Sequence, residues 1–193
     1  AARAAKPQTV GMHLLAVTPG QGFHEEAWGE VLTSGIDALL IREPHLGAQE
    51  LIGAATWCLT HHPGVEVWVR GLAVPGCGLH LPEGAPEAEG PGSRPLHAEA
   101  QWEARRTAAQ LLVSPIFETP GKGPAWGLGR LHAFLEGLPA EGPRILALGG
   151  LTPERAVAVR HPRLAGIAAI RPFWSGDPAA AVKAFRAAWD GRR

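Results

Sequence analysis

The stretch Ile145-Leu146-Ala147-Leu148-Gly149-Gly150-Leu151-Thr152-Pro153-Glu154 reads as one complete strand-to-helix unit. A short continuous apolar run closed by glycine is the pattern of a strand buried on both faces. Thr152 then offers a hydroxyl at a helix N-cap, and Pro153 suits the first helical turn. The same alternation recurs along the chain. Apolar runs at 12–17, 38–41, 65–69, 78–81, 95–96, 111–113, 145–148 and 166–170 read as strands. Ala-rich stretches at 24–34, 49–61, 99–109, 127–138, 152–160 and 178–189 read as amphipathic helices. Asp177-Pro178 repeats the capping device with a carboxylate.

Strands separated by helices pair in parallel, because a parallel neighbour needs a crossover connection, and eight such units close a barrel. The expected fold is α/β: a single small (β/α)8 TIM barrel over 10–190, in one domain spanning 1–193, with residues 1–8 as a disordered tail. The chain has 193 residues, about 24 per unit against about 31 in a typical barrel, so some helices must be missing. The curtailed segment falls around strands 3 to 5. Only residues 70–77 separate the third and fourth strands, and the Pro/Gly/Glu-rich stretch 82–94 has little helical signal. A flavodoxin-like open sheet is the competing architecture.

Eighteen basic residues balance eighteen acidic ones. That balance argues against a nucleic-acid or anionic-membrane partner, and any anion must be held locally. No apolar run reaches the length of a membrane span, and residues 1–10 lack the apolar core of a signal peptide. Cys58 and Cys77 have no metal-ligand spacing, which fits a reducing, cytoplasmic setting. Of the seven tryptophans, Trp28, Trp57, Trp102 and Trp189 fall in helical stretches and suit barrel packing or a subunit interface, so a homo-oligomer stays open. Trp126 and Trp174 fall in loops and could stack on a heteroaromatic ring.

In such a barrel the active site lies at the C-terminal ends of the strands. The residues there are Thr18, Arg42 with Glu43, Arg70, His80, His97, Ser114, Gly149 with Gly150, and Arg171 after Ile170. Arginine at a strand end points to a carboxylate or phosphate, since a buried guanidinium without a partner is costly. Gly149 and Gly150 lead straight into a helix start, where backbone N–H groups cradle phosphate, and they follow strand seven while Ile170-Arg171 follow strand eight. The alternative for the glycines is a tight packing turn. The loop Ser114-Pro115-Ile116-Phe117-Glu118-Thr119-Pro120-Gly121-Lys122-Gly123 holds one of only three lysines. It suits a lid over an anion, with an ordinary solvated loop as the alternative.

Taken together these motifs resemble the thiamine-phosphate synthase/TenI family of small (β/α)8 barrels, over nearly everything from His13 to Trp189. The resemblance rests on Arg42-Glu43, Gly78-Leu79-His80-Leu81, His97, the Ser114–Thr119 run with Lys122, Ala147-Leu148-Gly149-Gly150-Leu151-Thr152, and Gly166-Ile167-Ala168-Ala169-Ile170. The family's synthase joins a pyrimidine pyrophosphate to a thiazole phosphate with magnesium. Its motifs imply a lysine where this chain has Pro44, an Asn-Asp pair where it has Arg70-Gly71, and an aspartate where it has Pro82-Glu83-Gly84-Ala85. The carboxylates that a hard cation needs are replaced.

The resemblance therefore implies the TenI branch, associated with aromatising tautomerisation of a thiazole phosphate carboxylate and using no cofactor or metal. In that branch a histidine stands where this chain has Pro115, so the acid/base group comes from His97, Glu118 or His80, with His97 preferred for an imidazole that titrates near neutral pH. Gly149, Gly150, Ile170 and Arg171 are the expected phosphate ligands. Arg42, Glu43, Arg70, Ser114, Thr119 and Lys122 are expected on the rest of a small phosphorylated heteroaromatic substrate. A divergent magnesium-dependent synthase and a non-catalytic thiazole-phosphate-binding accessory protein are the alternatives.

Overall fold

The computed structural model describes residues 11–86 and 90–191, so the expected tail at 1–8 lies outside the described residues. Eight strands run in chain order: β1 (His13–Val17), β2 (Ala38–Ile41), β3 (Glu66–Arg70), β4 (Gly78–His80), β5 (Ser93–Leu96), β6 (Gln110–Val113), β7 (Arg144–Leu148) and β8 (Gly166–Ala169). They pair in parallel in that order and close on themselves, β8 returning to β1 through His13↔Gly166 to Ala16↔Ala169. The open-sheet alternative is excluded.

Side chains alternate between two apolar clusters. Leu14, Ala16, Leu39, Ile41, Val67 and Val69 pack outward against the helices. Leu15, Val17, Ala38, Leu40, Trp68, Leu112, Leu146 and Ala168 fill the interior. Strands buried on both faces need continuous apolar runs, which is why they are legible in the sequence. At the N-terminal end of the barrel, Arg144 of β7 donates to both carboxylate oxygens of Glu66 on β3 (2.9 and 2.8 Å), with His13 of β1 against the same guanidinium. Burial, then the Arg144 charge, pushes the His13 imidazole down to about 4. A charged plug thus closes one end of the barrel, and the other end is left for the site.

The helices are α1 (Glu25–Thr33), α2 (Ala48–His61), α3 (Trp102–Arg105), α4 (Gly127–Glu136), α5 (Pro153–Ala156), α6 (Arg171–Trp174) and α7 (Pro178–Asp190), with a 3-10 turn at Glu99–Gln101. Both predicted caps form. Thr152 Oγ1 accepts from the Arg155 N–H (3.4 Å), and Asp177 Oδ1 accepts from the N–H groups of Ala179 and Ala180 (2.9 and 3.1 Å). Residues 71–77 carry no helix, nor do the described residues between β4 and β5, so the barrel is curtailed where expected.

Two expected helices are shorter than their patterns. The stretch 99–109 folds only as the 3-10 turn and α3, because the Ala109 N–H already bonds the Gly92 carbonyl (2.9 Å) and Gln110 belongs to β6. The stretch 152–160 gives only α5. There the Ala158 and Arg160 N–H groups turn back to the carbonyls of Arg155 and Val157. An unexpected helix, α6, follows β8, where the sequence pattern extended the strand to 170. Phe173 anchors it against Phe185 of α7, and Trp174 Nε1 donates to the Val17 carbonyl (2.8 Å). Among the described residues no helix is long and apolar enough to cross a membrane.

Candidate functional site

The C-terminal strand ends form a ring in which β2 to β5 carry charged and imidazole side chains and β7 and β8 carry the glycine turn and α6. In an eight-stranded ring β7 and β8 stand across from β3 and β4, so the two groups face each other over the mouth.

His80 is buried at the end of β4, paired in register with Arg70 of β3. Its Nδ1 lies 2.9 Å from Ser93 Oγ, which also accepts from Gln110 Nε2 (3.2 Å). Through this serine, the Gln110 amide of β6 and the His80 ring of β4 are held in one buried hydrogen-bonded chain. Burial, then the charges of Arg70, Arg94 and Arg42, pushes the His80 pKa down to about 4. At neutral pH His80 is an uncharged N–H donor beside three guanidiniums.

Arg42 and Arg70 make no side-chain hydrogen bond or ion pair to any described residue. Arg94 differs: it is fully buried on β5 and donates to the carbonyls of Pro86 and Ala85 (3.1 and 3.2 Å), fastening the loop before β5. Glu43 is buried and accepts from the N–H groups of Gly20 (3.0 Å) and Gly22 (2.7 Å). Both glycines have positive φ. Glu43 therefore shapes the β1–α1 loop, while Thr18 Oγ1 accepts from the Arg42 N–H (2.8 Å) and sets the backbone from which Arg42 projects.

His97 sits just beyond β5 with 44% of its side chain exposed. Its Nδ1 contacts the Ser114 carbonyl oxygen at 2.8 Å. A carbonyl only accepts, so Nδ1 carries the hydrogen and Nε2 holds the ring's lone pair. Ser114 Oγ lies 3.4 Å from Nδ1, too long to compete with the carbonyl. Glu83 Oε2 lies 3.6 Å from Nε2, an ion-pair distance that leaves the lone pair without a hydrogen bond to the carboxylate. Of the other residues expected here, Glu118 and Lys122 are exposed at the rim, and Thr119 Oγ1 donates to the Phe117 carbonyl (3.0 Å).

Gly149 (φ 109°) and Gly150 (φ 64°) adopt backbone that disfavours any side chain. A Cβ on Gly149 would come within 2.8 Å of Pro115 Cα, and one on Gly150 within 2.8 Å of Phe117 Cβ. The Phe117 N–H bonds the Gly149 carbonyl (3.1 Å), and Arg155, stacked over Phe117, donates to the Gly150 carbonyl (2.8 Å). The packing role and the cradle role thus coexist. The glycines are needed for the loop's approach, and among the described residues neither N–H donates to a protein carbonyl. Ile170 is half-buried at the N-cap of α6 and Arg171 is exposed; Pro172, in the first turn, offers no N–H.

Trp126 is buried against Phe134 beneath Arg130, away from a stacking role, and Trp174 is tied to β1. Sequence reasoning passed over three contributors. Trp68 lies inside the barrel below the Arg70–His80 pair, and Arg94 and Arg105 are buried cations. Arginine inside an apolar segment was the available signal, since such a group must find partners.

No protein-family model matches the chain, and no curated protein sequence matches it. Solved structures match it over nearly its whole length. A thiamine phosphate pyrophosphorylase from Pyrococcus furiosus is 19% identical, with 93% of this chain and 96% of that chain covered and a TM-score of 0.75. One from Bacteroides thetaiotaomicron is 17% identical over 94% and 100%, with a TM-score of 0.69. A 3-hexulose-6-phosphate synthase is 19% identical over 92% and 99%, with a TM-score of 0.66. At these identities the likeness is one of fold.

Proposed function

We propose that this protein binds a thiazole phosphate carboxylate and catalyses its aromatising tautomerisation without a metal. The observation that carries the reading is the pair of guanidiniums of Arg42, just after β2, and Arg70, at the end of β3, neither bonded to a described residue and both acting on the buried, uncharged His80. Such a mouth attracts an anion directly. Arg42 and Arg70 hold the carboxylate, with the neutral His80 imidazole beside Arg70. The N–H groups of Gly149, Gly150, Ile170 and Arg171 hold the phosphate across the mouth, and Ser114, Thr119 and Lys122 lie on the loop beside it. The fold likeness to two thiamine phosphate pyrophosphorylases supports a ligand of that chemical kind.

Magnesium, which the synthase reading needs, does not fit the residues present. Magnesium takes hard oxygen ligands, with carboxylates supplying its protein contacts. The strand-3 position carries Arg70, Glu43 is engaged by Gly20 and Gly22, and Glu83 is engaged by Arg105 and Gln101. No cluster of three metal-ligating side chains exists among the described residues.

The tautomerisation moves one proton between two positions of the ring system while the π electrons shift within it, so nothing else is consumed. His97 Nε2 accepts the proton and returns it. Of the other two candidate bases, Glu118 is exposed at the rim and makes no hydrogen bond or ion pair to a described residue, and His80 is buried with its pKa pushed down to about 4. The second reading, binding without turnover, draws on Pro115, which occupies the place of the TenI histidine and packs against Gly149.

The deciding experiment incubates purified protein with the non-aromatic thiazole phosphate carboxylate in the presence of a chelator and follows the aromatic product. Turnover that disappears in His97→Ala, with calorimetric phosphate binding retained, is the expected result. Binding with no turnover in the wild type sinks the enzymatic reading and leaves the accessory one.

A further inference from the structure

The side chains behind His97 form a closed framework that no part of the anion-binding arrangement requires. Arg105 of α3, only 3% exposed, donates through Nη1 to Glu83 Oε2 (2.9 Å) and to the Pro95 carbonyl (2.8 Å), and through Nη2 to Glu83 Oε1 (3.3 Å). Gln101 Nε2 also donates to Glu83 Oε1. The other end of the same amide, Gln101 Oε1, accepts from the N–H groups of His97 (2.8 Å) and Ala98 (3.2 Å). One glutamine therefore ties the His97 backbone to the carboxylate that faces its ring. With Nδ1 held by the Ser114 carbonyl, the ring cannot rotate without breaking a bond, and its lone-pair nitrogen is left 3.6 Å from Glu83.

Generic surface glutamates are not held in this way. The carboxylate is fixed by two residues of the segment after β5, and the guanidinium that holds it also grips the Pro95 carbonyl within β5 itself. Fixing a base and its counter-charge from one rigid element is what proton transfer needs, because the charge formed on the base is met without reorganisation.

We propose that Glu83 is the positioning residue of the proton-transfer step, holding the carboxylate that meets the positive charge His97 acquires when Nε2 takes the substrate's proton. This rests on the assignment of His97 under the proposed function. Burial raises the Glu83 pKa, but the Arg105 hydrogen bonds and charge, the charge of His97 and the Gln101 hydrogen bond together bring it below the usual carboxylate range. Glu83 is thus an anion whenever His97 works. Among the described residues, the charged groups linked to the ring are Glu83 from the β4–β5 loop and Arg105 behind it on α3. The next carboxylate along the 3-10 turn, Glu99, is paired with Arg130 of α4.

Two measurements test the proposal. In Glu83→Gln, which keeps an oxygen for Arg105 and removes the charge, kcat falls about 10-fold or more with KM and calorimetric phosphate affinity unchanged. An unchanged kcat, or a loss confined to KM, overturns the positioning role. Independently of any substrate, carbon-detected NMR follows the Glu83 carboxyl through its titration in wild type and in His97→Gln. Its midpoint rises in the variant, because one of the charges holding it down is gone; an unmoved midpoint overturns the pair. If the wild type shows no turnover, the tautomerase reading falls, and the carboxyl titration still decides whether Glu83 and His97 act on each other.

Discussion

The indole of Trp68 occupies the space in which Gly78 would carry a side chain: a Cβ there would lie 2.6 Å from Cδ2 and closer still to Cε3. The two residues are register partners on β3 and β4. The largest side chain in the barrel interior thus requires a neighbour with none, and together they form the floor under Arg70 and His80. Gly78→Ala should overpack this floor and destabilise the fold by roughly 1–3 kcal/mol. Urea unfolding measures it. The double variant Trp68→Leu/Gly78→Ala should be less unstable than the two single losses added together, since the smaller side chain vacates the collision. Additive losses would show that the two do not share the space.

His80 makes stability depend on acid. Burial and then the charges of Arg70, Arg94 and Arg42 hold its pKa at about 4, against an ordinary value of 6.5 in the unfolded chain. Between those values the unfolded state binds the proton that the native state refuses. Stability is therefore highest above pH 6.5 and declines as the pH falls toward 4, by on the order of 3 kcal/mol for this group. His13 at the other end of the barrel, also about 4, acts with the same sign. His80→Gln should flatten part of the decline in a series of urea midpoints across this window. Phosphate in the mouth should raise the His80 midpoint by offsetting the guanidiniums, and an NMR titration with and without phosphate checks it.

How much of this was legible follows from which interactions are local. β2 and β7 are continuous apolar runs, and the sequence places them to within a residue. β5 shows only Pro95 and Leu96 as apolar, because its first half is Ser93, tied into the His80–Gln110 chain, and Arg94, which reaches back to Ala85 and Pro86. α6 escaped notice because a four-residue helix beginning Arg171-Pro172 has no periodicity to read. At the site, Gly149 and Gly150 were visible since a glycine pair before a capped helix is a local pattern. The framework that orients His97 was not. Its members come from three segments, and nothing in the sequence says that Arg105 turns inward to Glu83.

The glycine turn carries a prediction of its own. Gly149→Ala and Gly150→Ala each place a side chain on backbone of positive φ and within 2.8 Å of the β6–α4 loop. Strain of about 1–3 kcal/mol should appear as lost stability. Because Phe117 and Arg155 are fastened to the same two carbonyls, the loop bearing Lys122 should loosen with it, seen as faster amide exchange over 117–123. Phosphate affinity should fall in both variants. A Gly150→Ala protein that binds phosphate as the wild type does would move the phosphate away from this turn.

Arg42 and Arg70 can be assigned to one end of the ligand by comparing two molecules. A hydrogen bond to a charged group contributes about 1.5–3 kcal/mol, so losing one guanidinium should weaken binding by roughly 10- to 100-fold. If they hold the carboxylate, Arg42→Ala and Arg70→Ala lower calorimetric affinity for the thiazole phosphate carboxylate by that factor and leave the decarboxylated thiazole phosphate nearly untouched. If they hold the phosphate, both ligands lose equally, and the orientation proposed for the substrate is reversed. Arg70→Ala should also raise the His80 titration midpoint, since Arg70 is the strongest of the three charges acting on it. That shift reports the placement of Arg70 whichever ligand binds.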